Sequence, residues 1–220
     1  MKFRLALAAI AFAFAASAAS AADLKPVYKA QPYAVNWNGW YAGLGVAYHQ
    51  GDINESGCVG ACPVNQNIDG AFLAVQAGFD RHLNRNWVLG AFVTTPITKV
   101  KDELALTPPV ATFAIDPRFA VLGAVRVGYA TGNVLPYAFG GIFVANQRAT
   151  ASFGGTDSAT HVGPALGVGI EYALNPRWSL DLRYTYTDLS KEPYDFGGGI
   201  TRLGEEGHTV QFAINYRFGR

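Results

Sequence analysis

The sequence predicts an all-β chain, an eight-stranded antiparallel up-and-down transmembrane β-barrel. Three observations predict this fold: eight segments in which side chains alternate with a period of two, connections that alternate between tight and long, and a bulky apolar face on each segment. The length of 220 residues suits one domain with a short tail. Only 15% of the residues are charged, which indicates neither nucleic-acid binding nor a disordered acidic tail.

The first 21 residues are expected to be a cleaved signal peptide. Lys2 and Arg4 precede an apolar stretch over residues 5–16, and small residues follow with an Ala-Ser-Ala cleavage pattern at 19–21. An uncleaved membrane anchor is the alternative, but the apolar stretch is short and rich in alanine. Cleavage would leave 15 of the 17 basic residues against 16 acidic ones, so the mature chain is expected to be nearly neutral.

Residues 22–36 are polar, contain Pro26 and Pro32 and show no periodicity. They are expected to form a flexible periplasmic segment that leads into a barrel of residues 37–220. In the barrel, every second residue contributes to an apolar face. The apolar faces of the eight predicted strands, counting alternate residues, lie at 40–48, 71–79, 87–93, 119–129, 135–143, 162–172, 178–186 and 210–218.

The connections between these segments alternate in length. Tight turns are predicted at residues 84–86, 131–133 and 175–177, and long polar loops near residues 50–69, 95–117, 146–160 and 189–207. An even number of strands places both termini beside the short turns. Short periplasmic turns and long extracellular loops are typical of barrels in the bacterial outer membrane.

A soluble barrel would share the same period and strand count, so the side-chain bulk on the two faces must distinguish a membrane barrel from a soluble one. The interior of an eight-stranded barrel is only just wide enough for side chains, and the faces rich in Trp, Tyr, Phe and Leu are predicted to contact lipid. Nine aromatic residues near the ends with short turns are expected to form an interfacial girdle: Trp40, Phe79, Trp87, Tyr129, Tyr137, Tyr172, Trp178, Tyr216 and Phe218.

The opposite face carries glycine, alanine and a few charges. A lumen polar network that blocks the barrel is predicted from Asp80, Arg126, Glu171, Asp181, Arg183 and Arg217. We expect both Glu171 and Asp181 to lie within ion-pair reach of an arginine, with Glu171 and Arg183 as the favoured pair, because they lie on neighbouring strands. A narrow ion path is the alternative interpretation.

Two cysteines, Cys58 and Cys62, are expected to form a local disulfide in the oxidising compartment to which export leads. On the loop-entropy model this short ring contributes about 2 kcal/mol. A free redox pair is the alternative. Neither a catalytic, a cofactor-binding nor a metal-binding residue is predicted, since the four histidines are scattered and carboxylates show no catalytic spacing. These histidines are His49, His82, His161 and His208.

Several stretches resemble one family, the small surface-antigen outer-membrane proteins of alphaproteobacteria, which are porin-family barrels similar to OmpA. The resemblance rests on residues 37–43 (WNGWYAG), 135–137 (LPY), 169–172 (GIEY), 175–179 (NPRWS), 184–189 (YTYTDL), 208–210 (HTV) and 215–218 (NYRF). Members commonly end on an aromatic residue that serves as an assembly signal, whereas Gly219 and Arg220 follow Phe218 here.

The resemblance implies a monomeric, non-enzymatic barrel in the bacterial outer membrane that supports envelope integrity and presents surface loops. Its implied partners are outer-membrane lipid and lipopolysaccharide, the outer-membrane assembly machinery and an unidentified extracellular ligand, but no nucleic acid. A small-solute or ion pore is the second hypothesis. An enzyme that modifies lipid A is the third.

Overall fold

The computed structural model describes residues 35–56, 66–98, 113–151, 156–195 and 200–218. These residues form a closed barrel in which each strand pairs antiparallel with the next in sequence, and the last strand pairs with the first. The predicted fold class is confirmed. The strands are β1 (Gly39–Ser56), β2 (Gln66–His82), β3 (Trp87–Pro96), β4 (Phe113–Tyr129), β5 (Val134–Ala151), β6 (Thr156–Ala173), β7 (Trp178–Asp195) and β8 (Ile200–Arg217). Among the described residues, no helix has the length and apolar character needed to cross a membrane.

The three short turns lie where they are predicted, and we call this end of the barrel the turn end. In two of them an asparagine side chain holds the backbone. Asn84 Oδ1 accepts hydrogen bonds from the backbone N–H groups two and three residues ahead, at 3.0 and 2.9 Å, and Asn175 Oδ1 does the same at 2.9 and 3.0 Å. In the third turn, Gly132 has φ of 59°, a conformation that glycine adopts without strain.

The strands run further than expected at the opposite end, the loop end. Seven of them contain 17 or 18 residues, whereas about 9–11 residues cross a bilayer. The four long loops are therefore shorter than the predicted 50–69, 95–117, 146–160 and 189–207, although β3 ends at Pro96, close to the predicted start of the second loop. Backbone pairing continues beyond the apolar faces because ladder hydrogen bonds do not require apolar side chains.

Side chains alternate between the outer wall and the lumen, as the sequence predicts, with one strand reversed. On β5 the bulky face, Leu135, Tyr137 and Phe139, is buried in the lumen at 0%, 5% and 6% exposure. Prediction of Tyr137 as a girdle residue is wrong. The rule that a bulky face must point outward fails on β5 because the lumen has room for the rings of Tyr137 and Phe139.

That space comes from two glycines on the neighbouring strand, β6. Tyr137 is the register partner of Gly169, and Phe139 is the partner of Gly167. A Cβ atom at either glycine would collide with the ring opposite it. Pairing each ring with a glycine therefore lets a narrow barrel hold aromatic side chains inside.

Candidate functional site in the barrel lumen

Four buried charges form a closed ring across the lumen, which we call the charge ring: Asp80, Arg126, Glu171 and Arg217. Arg126 donates from Nε to Asp80 Oδ1 at 2.9 Å and from Nη2 to Glu171 Oε2 at 2.9 Å. Arg217 donates from Nη1 to Asp80 Oδ2 at 2.9 Å and from Nη2 to Glu171 Oε1 at 2.8 Å. Each charge therefore has two partners of opposite sign, and the side chains are at most 2% exposed.

The ring crosses the lumen because its members come from every second strand. Asp80 lies on β2, Arg126 on β4, Glu171 on β6 and Arg217 on β8. Such alternation places acid and base in turn around the barrel axis, and the four formal charges cancel. A buried charge is tolerated only when it is paired and hydrogen-bonded, which this arrangement provides.

Aromatic rings cover the lumenal arginines. The guanidinium carbon of each one lies over two rings, at distances typical of cation–π contacts. These ring pairs are Tyr41 and Tyr137 for Arg126 (4.8 and 4.9 Å), Trp37 and Tyr41 for Arg217 (4.6 and 5.0 Å), and Phe92 and Phe139 for Arg183 (4.5 and 5.9 Å). The aromatic side chains thus fill the cross-section that the charge ring leaves.

A second polar layer is organised by the amide of Gln76. Its Oε1 accepts from Arg183 at 2.7 Å and from Gln211 at 2.9 Å. Its Nε2 donates to Asn215 Oδ1 at 2.7 Å and to Asp181 Oδ2 at 3.3 Å. One amide therefore connects a buried cation to a buried anion that do not meet directly.

This layer corrects the expected pairing of Glu171 with Arg183. The register places Glu171 opposite Asp181, and Arg183 opposite Gly169. Arg183 bonds to the Gln76 amide, and Asp181 accepts a 2.6 Å hydrogen bond from the hydroxyl of Tyr137 instead of an arginine. The expectation failed because it considered neighbouring strands, whereas long side chains in a narrow barrel reach strands two or three positions away.

The turn end of the lumen is closed by residues around Trp37, which precedes the first strand. Trp37 is fully buried in a group that we call the floor cluster: Trp37, Val88, Ala130, Leu135 and Ala173. The carbonyl oxygen of Trp37 accepts a 3.0 Å hydrogen bond from Arg217. Gly39 then takes φ of 114°, which allows the chain to turn from the floor into the wall.

Towards the loop end, a separate cluster lies around His49. Its Nδ1 is 2.9 Å from Thr209 Oγ1, and its Nε2 is 2.8 Å from Glu205 Oε1. Because a carboxylate can only accept, the imidazole donates from Nε2 to Glu205. Gln147 on β5 donates to the other oxygen of Glu205 at 3.4 Å, so the cluster joins strands on opposite sides of the lumen.

Eight of the nine proposed girdle residues lie on the outer wall. The most exposed are Trp40 at 64% and Phe218 at 62%. Three cross-strand ring contacts reinforce the turn end: Trp40 with Phe79 at 5.2 Å, Trp87 with Tyr129 at 5.4 Å, and Trp178 with Tyr216 at 5.0 Å between centroids. Tyr137 is the exception, as described above.

Several lumen residues were missed by the sequence reasoning. Gln76 and Asn215 lie at inward positions of the alternating pattern, but the predicted polar network contains only charged residues. Trp37 lies before the alternating pattern begins, so periodicity carried no signal for it.

Cys58 and Cys62 lie outside the described residues, and their disulfide stays a prediction. Within the described part of the chain, no group of three or more His, Cys, Asp or Glu side chains is arranged to hold a metal ion.

Comparison with known proteins identifies the fold family. A family model described as outer membrane protein beta-barrel domain matches residues 5–218. The chain belongs to this family. It is therefore a barrel of the bacterial outer membrane, with its apolar outer wall in lipid and its lumen sealed from lipid by the closed sheet.

Individual relatives agree with this assignment. The 31 kDa outer-membrane immunogenic protein of Brucella melitensis biotype 1 is 29% identical over 224 residues, covering 91% of this chain and 93% of the relative. The protein of the same name from Brucella suis biovar 1 matches equally. Neisserial surface protein A shares the fold with a TM-score of 0.51 at 15% identity, over 82% of this chain and 97% of that structure.

Proposed function

We propose that this protein is a structural barrel of the outer membrane whose lumen is closed to solutes and whose strand extensions carry surface loops. The observation that supports the closed lumen best is the charge ring, in which four side chains from alternate strands meet across the axis. The second polar layer, around Gln76, and the floor cluster fill the lumen on either side of the charge ring. Ions would have to displace paired, desolvated charges to pass, which is costly.

Surface presentation is supported by the length of the strands and by the relatives. Strand pairs such as β5 and β6 continue past the apolar wall toward the loop end. The Brucella relatives are described as immunogenic proteins of the outer membrane. We infer that the present chain also exposes its loop end to the outside, with outer-membrane lipid and lipopolysaccharide as its immediate surroundings.

Conductance tests the closed lumen. The mature protein, refolded and inserted in planar bilayers, is expected to show no steady conductance. The double variant Glu171→Ala/Arg217→Ala removes one acid and one base of the charge ring and is expected to give measurable current. The matched control Asp188→Ala/Arg148→Ala changes two exposed charges outside the lumen. Steady large conductance of the wild type would show that the protein is a pore.

Envelope function needs a separate measurement. A strain lacking the protein is expected to become more permeable to detergents and large antibiotics, and the wild-type gene should restore the barrier. Antibody against the loop end is expected to label intact cells. An unchanged barrier, together with labelling only after permeabilisation, would contradict the proposed envelope and surface roles.

Enzyme activity has no support from the arrangement of polar groups. The Thr209, His49 and Glu205 side chains do form a hydroxyl, imidazole and carboxylate series. However, they point into the lumen, whereas lipid A modification needs reacting groups at the lipid-facing rim. We therefore assign this cluster to holding β1 against β8.

A further inference from the structure

Three buried polar atoms at the turn end have no hydrogen-bond partner among the described residues: Trp37 Nε1, Arg217 Nε and Asn133 Oδ1. Trp37 is 0% exposed and Arg217 is 3% exposed. Two of the atoms are donors and the third is an acceptor. Buried donors and acceptors in folded proteins nearly always have partners, so the three together require an explanation.

The contacts of the three residues all lead to the floor cluster or to the charge ring beside it. The guanidinium carbon of Arg217 is 4.6 Å from the centre of the Trp37 ring, so the two residues that carry the orphan N–H groups are in contact. Asn133 lies in the turn between β4 and β5, and its carbonyl oxygen accepts a 2.8 Å hydrogen bond from Ala173 N–H. Ala173 in turn belongs to the floor cluster together with Trp37.

We propose that the floor contains a binding site for one small neutral molecule, a water molecule, held by Trp37 Nε1, Arg217 Nε and Asn133 Oδ1. One water accepts from the two N–H donors and donates to the amide oxygen. That count matches the three hydrogen bonds that a buried water typically makes.

The charges around the site favour a neutral ligand over an anion. Arg217 already donates to Asp80 and to Glu171, and both carboxylates lie on the ring directly above the floor. An added anion would approach two carboxylates in a medium of low dielectric constant, where like charges repel strongly. A water molecule completes the hydrogen bonds without adding charge.

The bound water would fasten the segment 35–38 beneath the charge ring. Trp37 is attached there by its ring over Arg217 and by its carbonyl oxygen, while its indole N–H lacks a partner from the protein. The water supplies the missing contact between the segment and the turn that follows β4. This site does not depend on whether the lumen conducts, so the bilayer experiment cannot decide it.

Water exchange spectroscopy tests the site on the mature protein in detergent micelles. With ¹⁵N-labelled tryptophan, the four indole N–H signals are resolved, and the variant Trp37→Phe assigns the signal of Trp37. A cross peak between this N–H and a long-lived water is expected. Trp40→Phe is the matched control, because Trp40 is three residues away on the outer wall and 64% exposed.

Stability and halide titration provide the second readout. Trp37→Phe keeps the aromatic ring over Arg217 but removes one partner of the water, and we expect a lower unfolding temperature than that of Trp40→Phe. The indole signal should not shift when bromide is added. Absence of the water cross peak, or a saturable bromide-dependent shift that identifies an anion site, would overturn the proposal.

Discussion

The hydroxyl of Tyr137 donates a hydrogen bond of 2.6 Å to Oδ1 of Asp181 inside the lumen. Asp181 is buried, and Glu171 lies directly opposite it in the register of β6 and β7. Among the described residues, no arginine is within ion-pair distance of Asp181, so neutral donors from Tyr137 and Gln76 stabilise its carboxyl group. An aromatic residue expected to contact lipid thus has a polar role.

Tyr137→Phe is expected to destabilise the barrel by about 1–3 kcal/mol, because it leaves a buried acceptor short of a donor while it preserves the ring. Urea unfolding in micelles, followed by tryptophan fluorescence, measures the effect. Tyr129→Phe is the control, since Tyr129 lies on the outer wall and is 44% exposed. Equal effects of the two substitutions would argue against the role of the Tyr137 hydroxyl.

Glu171→Ala is expected to cost about 3–5 kcal/mol, because it leaves Arg126 and Arg217 each with only one carboxylate partner. The control Glu206→Ala, at an exposed position on the same barrel, should change stability by less than about 0.5 kcal/mol. On a gel, a folded barrel that has not been heated is expected to migrate faster than the unfolded chain. The temperature at which this faster band disappears therefore measures the stability of each variant. A Glu171→Ala barrel as heat-resistant as the control would show that the charge ring contributes little.

Gly169→Ala is expected to destabilise the barrel, because the added methyl group collides with the Tyr137 ring, which is held by Arg126 and Asp181. The control is Gly123→Ala, where a Cβ meets no atom within 4 Å and stability should stay unchanged or rise by roughly 0.4–1 kcal/mol. In a Tyr137→Leu background the cost of Gly169→Ala should largely disappear. Additive effects in this double-mutant cycle would contradict the ring-and-glycine pairing.

The cluster around His49 predicts a pH dependence. Glu205 lies on β8 beyond the last outward aromatic of the apolar wall, and His49 donates to it at 2.8 Å. Burial raises the pKa of Glu205. The hydrogen bond from His49 and the electrostatic interaction with the same imidazole outweigh burial, so the pKa is held below its ordinary value. A lowered pKa means that the ionised carboxylate stabilises the folded state at neutral pH, and that this contribution disappears as pH falls through the folded pKa.

Comparison of Glu205→Gln with wild type measures this contribution. The variant should be less stable at neutral pH, and the difference should shrink as the solution is acidified below the ordinary range of a glutamate. Glu206→Gln, the neighbouring exposed residue, is the control and should show no such convergence. A constant difference across the pH range would mean that the ionisation of Glu205 is not coupled to folding.

The sequence predicts the barrel well because membrane strands obey a simple alternation. Outward and inward sets on β1, β2, β6 and β8 follow from the period of two alone, and the asparagine-containing turns follow from local chemistry. On β5 both faces contain apolar residues, so a prediction from side-chain bulk assigns the wrong face to the outer wall. The informative signal is on β6, where Gly167 and Gly169 occupy inward positions and leave room for large partners.

The lumen was harder to predict because its contacts are not between neighbours in the sheet. The inward parity of all six charges follows from the sequence, and the structure buries each of them. Which charge meets which depends on the barrel's diameter and on side-chain reach across the axis. Register between adjacent strands does not contain that information, and this explains the false pairing of Glu171 with Arg183.

The origin of the charge ring on alternate strands has a consequence for closure of the barrel. Asp80, Arg126 and Glu171 are present once β6 is in place, and together they carry one excess negative charge. Arg217, at the end of β8, is the last member along the chain and supplies the balancing cation. Pairing of β8 with β1 therefore also neutralises the charge ring. A barrel whose final strand is missing or out of register would retain an uncompensated carboxylate in its interior.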